Sequence, residues 1–204
     1  MLAMHQPDFS AAAERNKQPI FDVLRRILPP QGHAFEIASG TGQHVTWFAA
    51  GLPGWTWQPT DVQAEALDSI SARVEAQGLS NVRKPLVLDV MSPPNLPVGE
   101  RYDLVYCANL IHIAPWPACA ALMRFSAQIL AVGGRLATYG PYVEEDAATS
   151  DGNLAFDQSL KLRNAAWGIR DLKAVVDEAA SAGLVLAERH AMPANNLLLL
   201  WSRI

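Results

Sequence analysis

The sequence predicts an α/β fold with a mostly parallel sheet, helices on both faces and an antiparallel hairpin near the C-terminal end. Strand-like and helix-like runs alternate from Ala34 to Tyr139, and such alternation requires right-handed crossovers between parallel strands. The apolar runs Val87-Leu88 and Leu104-Val105 lack strict alternation, as expected of strands covered on both faces. Only residues 192–195 separate the last two strand-like runs, which favours a hairpin.

The first half of the chain supplies two strand–helix units. Apolar residues at helical spacing predict a first helix over Pro19–Leu28, which Pro29-Pro30 ends, and Asn16 is a candidate N-cap. Glycines follow the next two predicted helices, where a left-handed cap favours them. After the first helix, the predicted elements are strand Ala34–Ala38, helix Gln43–Ala50, strand Trp55–Gln58, helix Gln63–Gln77 and strand Pro85–Val90.

The second half continues this alternation up to a polar insertion. The insertion, residues 143–170, precedes an amphipathic helix that begins near Asp171. The predicted elements of this half are strand Asp103–Ala108, helix Pro115–Ala131, strand Arg135–Tyr139, helix Asp171–Ala182 and the hairpin strands Leu184–His190 and Asn196–Ser202.

Composition and charge limit the class of protein. A chain of 204 residues, half of them hydrophobic and with a formal charge of −4, is typical of a single compact domain over residues 1–204. The pI near 5.7 and the lack of a basic cluster disfavour a nucleic-acid partner. Neither Met1–Glu14 nor the short apolar run Leu197–Trp201 resembles a targeting or membrane segment, so we expect a cytoplasmic protein without membrane association. Cys107 and Cys119 lack companion ligands, so no metal site is predicted, and the oligomeric state stays open.

A glycine turn follows the first predicted strand, in the stretch EIASGTGQH. Gly40 and Gly42 let the backbone approach a ligand closely, and the free N–H groups at the start of the next helix favour an anionic group. A dinucleotide fingerprint needs a third glycine where this chain has Val45, so NAD is disfavoured. Asp61 ends the second strand, where a carboxylate can accept hydrogen bonds from ribose hydroxyls. The turn therefore predicts a nucleotide-like cofactor.

The chain at this point resembles the class I S-adenosylmethionine-dependent methyltransferases, whose first motif is an acid followed by spaced glycines. Glu36, Gly40 and Gly42 match that motif, and Ala38 replaces its first glycine. The resemblance implies a Rossmann-like, seven-stranded methyltransferase sheet and S-adenosyl-L-methionine as the cofactor. The cofactor-binding residues predicted in this way are Arg15, Asn16, Glu36, Ala38, Ser39, Gly40, Gly42, Asp61, Asp89, Val90 and Asn109.

A narrower set of motifs is similar to the uncharacterised methyltransferase-like 26 family. They are ERNKQPI, EIASGTGQH, QPTD, NLIHIAPW, YGPY, FDQSLKLRNAAWGIRD and NNLLLL. The commonest form of the late motif has a proline where this chain has Ala165. The resemblance implies the fold and the cofactor but no acceptor, since the family has no settled substrate.

Polar and aromatic residues beyond the fourth and fifth strands are candidates for the acceptor side of the site. Asn109 and His112 are predicted to be catalytic, because the resembling family places residues there near the methyl group and an imidazole can titrate near neutral pH. A packing role for His112 stays an equal alternative, and Asp61 or Asp89 could instead cap helices. The predicted substrate-binding residues are Tyr142, Phe156, Arg163 and Trp167.

The predicted function is in-line transfer of a methyl group from S-adenosylmethionine to a nucleophile on a small molecule. The N-terminal segment, residues 1–30, and the insertion 143–170 are expected to cover the active site, with Asn153–Arg170 as a cap over the acceptor. The alternative for this cap is a solvated helix whose Leu154, Leu160 and Leu162 pack on the sheet. The alternatives for the whole protein are a noncatalytic cofactor-binding protein or partner subunit with the same fold, and the disfavoured NAD-dependent oxidoreductase.

Overall fold

A computed structural model describes residues 7–93, 99–145 and 147–203. Residues 1–6 of the predicted N-terminal segment and residue 146 of the insertion lie outside these ranges. The chain divides into two compact units, residues 1–106 and residues 107–204, and each is described by itself. The prediction that residues 1–204 form one domain stays a prediction.

The first unit alternates helices with parallel strands. Its best-buried side chains are large aromatic residues, among them Phe35, Phe48, Trp55 and Trp57. In chain order the elements are α1 (Ala11–Ile27), β1 (Gly32–Ile37), α2 (Gln43–Gly51), β2 (Trp55–Asp61), α3 (Ala64–Ala76) and β3 (Leu86–Val87).

Strand β4 runs across the division between the units, and the remaining elements belong to the second unit. They are β4 (Tyr102–Ala108), α4 (Pro117–Ile129), β5 (Leu130–Val143), α5 (Asp151–Arg163), β6 (Arg170–Asp171), α6 (Leu172–Ser181), β7 (Leu184–Met192) and β8 (Asn196–Arg203). A short 3-10 turn, Pro193–Asn195, joins the last two strands.

The strand order confirms the predicted fold class. One eight-stranded sheet has the order β3-β2-β1-β4-β5-β8-β7, and β6 pairs with β5 off this path. Strands β1, β2 and β3 pair in parallel, whereas β8 pairs antiparallel with both β5 and β7. The predicted hairpin is therefore confirmed, and β6 is the one addition to the predicted strands. The order reverses beside β1, whose carboxyl end is the edge at which such sheets bind ligands.

Helix α1 starts earlier than predicted. It begins at Ala11, and the Ser10 side chain caps it by accepting a hydrogen bond from the Ala13 N–H at 3.2 Å. The predicted start at Pro19 and the predicted N-cap role of Asn16 are therefore wrong. A proline inside a helix removes one backbone hydrogen bond. Here the turns before Pro19 are also held by side-chain contacts to α2, so the helix continues through it.

Two strands differ in length from their predictions because of their neighbours. Strand β3, predicted over Pro85–Val90, consists only of Leu86–Val87, the two residues that pair with the end of β2. Strand β5 begins at Leu130 and extends to Val143, well beyond the predicted Arg135–Tyr139. It pairs with β8 from Arg135 to Pro141 and with β6 at Tyr142 and Val143.

Part of the polar insertion is helix α5, as the alternative interpretation held. Ser150 caps it by accepting a hydrogen bond from the Asn153 N–H at 3.3 Å. Leu160 is fully buried, but Leu154 and Leu162 are 50% and 89% exposed. Of the three leucines expected to pack on the sheet, only Leu160 is therefore buried.

Candidate functional site

The turn between β1 and α2 contains three residues in the left-handed region. The φ angles of Ala38, Gly40 and Gly42 are 56°, 53° and 75°. A Cβ at Gly42 would lie 3.0 Å from the Ile70 Cα, so this glycine is required by conformation and by space. A Cβ at Gly40 would meet nothing within 4 Å, so the backbone there borders open space that a ligand could enter.

Asp61 ties this turn to the end of β2. Its buried carboxylate accepts hydrogen bonds from the Gly40 N–H at 2.9 Å and from the Gln63 N–H at 3.0 Å. The N-cap of α3 is Gln63 rather than Asp61. Ser39, between the glycine and Ala38, is held by its own N–H, which donates to the Thr60 carbonyl at 2.8 Å. A carboxylate has about four acceptor positions, so Asp61 retains capacity for hydroxyl groups of a ligand.

Glu36 is a buried acid with an unused oxygen. Only 1% of the residue is exposed, and its Oε2 has no hydrogen-bond partner. Burial raises the pKa of Glu36 to about 8, and the charge of Asp61 adds to this rise although the bond to Ser39 opposes it. An unpaired buried polar atom costs about 1–3 kcal/mol. A cationic ligand such as an ammonium group would satisfy that oxygen.

The N-terminal turns of α1 lie against the start of α2. Gln43, the first residue of α2, accepts a hydrogen bond from the Ser10 N–H at 2.6 Å and donates to Glu14 at 2.8 Å. Asn16 Oδ1 accepts from His44 Nε2 at 2.6 Å. Asn16 therefore lies beside His44, close to the glycine turn, and its predicted contact with the cofactor stays a prediction.

His44 is held from both sides and stays neutral. The Tyr106 hydroxyl donates to His44 Nδ1 at 3.3 Å, on the opposite side from Asn16. Burial lowers the pKa of His44 to about 4. His44 thus fixes the Asn16 amide, and Asn16 Nδ2 has no partner among the residues that the structure describes. Arg15 is exposed on the same helix.

Asp89 and Val90 lie just after β3. Asp89 Oδ1 accepts a hydrogen bond from the Met91 N–H at 2.8 Å, which closes a local turn. Asp89 is exposed, and Val90 is buried. Their predicted contact with the cofactor stays a prediction.

His112 is the main candidate in the second unit. It lies in the loop after β4, is 2% exposed, and its Nδ1 has no hydrogen-bond partner. Burial, together with the nearby charge of Arg170, lowers the pKa of His112 to about 4, so the ring is neutral at physiological pH. Asn109, at the start of the loop, has a φ of 62° and donates its N–H to the Tyr139 carbonyl at 2.8 Å. Non-glycine residues in this conformation often mark functional sites.

Gly140 and Phe156 enclose the His112 ring. A Cβ at Gly140 would lie 3.0 Å from His112 Cε1 and 3.1 Å from Nδ1, so only glycine leaves room for the imidazole. Phe156 of α5 meets the ring edge to face, with centroids 5.8 Å apart. Phe156 is partly exposed and so is placed to contact a ligand that reaches His112.

The other predicted substrate-binding residues fall into two groups. Tyr142 was expected in or beside a loop, but it lies within β5, is buried, and donates its hydroxyl to Thr138 Oγ1 at 3.1 Å. Arg163 ends α5, and its guanidinium lies 5.6 Å from the centroid of the Trp167 ring. This pair is accessible, because Arg163 is exposed and Trp167 is partly exposed.

Sequence reasoning missed three residues that shape these sites. Gln43 forms hydrogen bonds with α1. Gly140 leaves room for the His112 ring. Arg170 binds the loop that contains His112. Gly140 and Arg170 lie in the stretches YGPY and NAAWGIRD, which carry the narrower family resemblance. That resemblance could have drawn attention to them, although it did not reveal their contacts.

Solved structures of small-molecule methyltransferases share this fold. An O-methyltransferase family protein from Burkholderia thailandensis matches with a TM-score of 0.79 at 18% identity, over 94% of this chain and 57% of its own. An O-methyltransferase family 2 protein from Planctomyces limnophilus in complex with apigenin matches with a TM-score of 0.78 at 18% identity, over 95% of this chain and 60% of its own. CalO1, a methyltransferase in calicheamicin biosynthesis with SAH bound, matches with a TM-score of 0.75 at 13% identity, over 95% of this chain and 55% of its own. The chain thus has the class I methyltransferase fold and spans little more than half of each of these proteins.

The sequence also defines a family. The profile described as "Protein of unknown function (DUF938)" matches residues 7–203, and the chain belongs to this family. The narrower resemblance to methyltransferase-like 26 stays a prediction. Among the described residues, no helix has the length and apolar character needed to cross a bilayer.

Replacing Ala38 with glycine should stabilise the protein. A left-handed alanine costs roughly 1–2 kcal/mol, and glycine removes most of that cost. We expect Ala38→Gly to raise the free energy of unfolding by about 1 kcal/mol in urea denaturation. Ala194→Gly is the matched control, because Ala194 has the same φ of 56° far along the sequence. A gain at Ala194 without one at Ala38 would show that Ala38 is not strained in solution.

Glu36→Gln should stabilise the ligand-free protein in a pH-dependent way. The pKa of Glu36 is raised in the folded state, so its stability contribution is present below pH 4.5 and is lost as the pH rises toward about 8. Glutamine does not titrate. The variant should therefore match wild type near pH 4 and exceed it progressively up to pH 8, by at most roughly 1.4 kcal/mol per pH unit.

Urea denaturation from pH 4 to pH 8 measures this difference, with the exposed Glu65→Gln of α3 as control. A stability difference that does not change with pH would contradict the burial of an un-ionised Glu36.

Proposed function

We propose that this protein is an S-adenosylmethionine-dependent methyltransferase that acts on a small molecule. The observation that carries the proposal is the pairing of an open glycine turn with the unpartnered, buried oxygen of Glu36. This oxygen has no use in the folded chain itself, whereas a ligand with an ammonium group next to a nucleoside would use it. The SAH bound to CalO1 is a ligand of that class.

The residues present fit such a cofactor. Glu36 would accept from the ammonium group, and Asp61 would accept from ribose hydroxyls with its remaining lone pairs. The Asn16 amide, together with the N–H groups at the start of α2, would bind the carboxylate. Ala38, Ser39, Gly40 and Gly42 would line the turn with backbone. Further contacts are proposed for Arg15, Asp89, Val90 and Asn109.

Residues of the second unit are proposed to serve the acceptor. When bound, the cofactor supplies an activated methyl group on a positively charged sulfur. The His112 ring is neutral and its Nδ1 is unpartnered, so with the ring proton on Nε2 this nitrogen would accept a hydrogen bond from an acceptor that reaches it and would take its proton as the new bond to carbon forms. Asn109 orients the reacting groups. The carbon–sulfur bond of the cofactor would break with its electron pair left on sulfur, so charge would balance without another reactant.

A small-molecule acceptor with an apolar portion fits the surroundings of His112. Phe156 offers a ring face, while Arg163 and Trp167 offer a cation and an aromatic surface on the segment Asn153–Arg170. Arg163 could bind a carboxylate through paired N–H donors. One structural neighbour was solved in complex with apigenin, a small molecule with an apolar portion.

Binding measurements test the cofactor assignment. Isothermal titration should show binding of S-adenosylhomocysteine and none of NAD. Asp61→Ala should weaken the former by about 1.5–3 kcal/mol, as expected for hydrogen bonds to a charged group.

Asp61 also holds the Gly40 amide, so an analogue without ribose hydroxyls is the control ligand. The variant should bind both ligands alike, whereas wild type should prefer the hydroxylated one. An equal preference in both proteins would remove Asp61 from the ribose site, and an absence of S-adenosylhomocysteine binding to wild type would overturn the proposed function.

If His112 is catalytic, its replacement should lower methyl transfer without lowering the affinity for the cofactor. His112→Ala should lower transfer of radiolabelled methyl groups into a metabolite extract by about 10²–10⁴-fold, the usual contribution of a general base. Its affinity for S-adenosylhomocysteine should stay within about twofold of wild type, since the ring is not assigned to the cofactor. Equal losses in both would instead place His112 in cofactor binding. Cofactor binding by wild type without any methyl transfer would support a noncatalytic binding protein.

A further inference from the structure

The loop that carries His112 is bound by a single arginine from the end of the insertion. Arg170 Nε donates to the Ile111 carbonyl at 2.9 Å, and its Nη2 donates to the Ala114 carbonyl at 2.6 Å. The same Nη2 donates to the Ala166 carbonyl at 2.8 Å. The guanidinium also lies 5.7 Å from the centroid of the Trp116 ring. Arg170 therefore contacts the backbone on both sides of His112.

Backbone from the same segment completes this binding. The Gly168 N–H donates to the His112 carbonyl at 3.0 Å. Gly168 and Ile169 are placed by Asp157 of α5, whose Oδ1 accepts from the Ile169 N–H at 2.8 Å. The carbonyls of residues 111, 112 and 114 are thus all bound by residues 168–170. Buried backbone carbonyls require partners, and this loop belongs to neither a helix nor a strand that could provide them.

We propose that Arg170 is a positioning residue for His112, which fixes the loop and with it the place of the imidazole during methyl transfer. This inference rests on the proposed function, because it gives His112 the role of proton acceptor. Two of the three guanidinium nitrogens of Arg170 already bind backbone carbonyls, so this side chain is engaged by the protein itself.

The chemistry of the guanidinium suits this role better than that of an ammonium. A planar fork can bind two separated carbonyls with fixed geometry and stack on an aromatic ring, whereas lysine offers a mobile point charge. In the part of the chain that the structure describes, Arg170 forms no ion pair. Its positive charge disfavours a second positive charge beside it, so it helps to keep the imidazole free of a proton.

The other neighbours of His112 leave Arg170 as the main charge that acts on it. On α5, Phe156 is uncharged, and the carboxylate of Asp157 is bonded to Lys161 and to the Ile169 amide. On β5, Gly140 is uncharged. Removal of the Arg170 charge should therefore raise the pKa of His112. Removal of the two guanidinium hydrogen bonds should let the His112 loop move.

The test combines NMR of the imidazole with methyl transfer. In protein labelled with 15N-histidine, Arg170→Gln should shift the His112 pKa upward from about 4, with altered ring chemical shifts. The acidic limb of the methyl-transfer pH profile should move in the same direction. Methyl transfer into a metabolite extract should fall about 10- to 100-fold, as small misplacements of catalytic groups do. Affinity for S-adenosylhomocysteine should stay within about twofold, since Arg170 is not assigned to the cofactor.

Two further variants keep the result decisive. Arg170→Lys retains the charge and loses the fork, so it should leave the His112 pKa nearly unchanged and still lower transfer. Lys173→Gln is the matched control, because Lys173 is an exposed cation nearby in α6 that pairs with Asp177 and should change neither quantity. If Arg170→Gln does not fold, Arg170→Lys carries the test.

Unchanged His112 chemical shifts and unchanged transfer in the folded Arg170 variants would overturn the proposal. The NMR measurement does not depend on an acceptor. If wild type fails to bind S-adenosylhomocysteine, the proposed function fails, and the His112 titration still shows whether Arg170 controls the imidazole.

Discussion

The hydrogen bond from the Gly40 amide to Asp61 is the constraint on which the first unit depends. It holds the turn after β1 against the end of β2, and the same carboxylate binds the Gln63 amide before α3. With the turn fixed, Gln43 and His44 begin α2 in the place where α1 can bind them. A single buried carboxylate therefore joins the glycine turn, the end of β2 and the start of α3.

Two unsatisfied polar atoms distinguish the sites from the core around them. The folded protein leaves Glu36 Oε2 and His112 Nδ1 buried without partners, at a cost of about 1–3 kcal/mol each. Burial has opposite consequences for the two groups, since it holds the acid protonated and the imidazole unprotonated. Each group is thus in the form that a ligand can change, because Glu36 can give up a proton when a cation binds and His112 can accept one. Two further buried atoms, on Trp57 and Ser126, also lack partners and have no role in this scheme.

The sequence was sufficient for the alternating fold, the C-terminal hairpin and the glycine turn, because apolar periodicity and glycine conformation are local properties. It was insufficient where distant contacts override local preference. Pro19 indicates a helix start, yet α1 begins several residues before it, where Ser10 and Glu14 form hydrogen bonds with Gln43. Strand β3 pairs with β2 at only two residues, and pairing with a neighbouring strand is not encoded in periodicity. The free oxygen of Glu36 could not be predicted either, since its lack of a partner is a property of the assembled core.

The insertion 143–170 combines buried residues that support the fold with exposed residues that are proposed to bind a substrate. Leu160 anchors α5 in the core, and the segment that follows brings Gly168 and Arg170 onto the carbonyls of the His112 loop. The same helix places Phe156 against the imidazole and leaves Arg163 exposed. The residues that bind the His112 loop are separate from the exposed Arg163, so a substitution at Arg163 would leave the contacts of Gly168 and Arg170 in place.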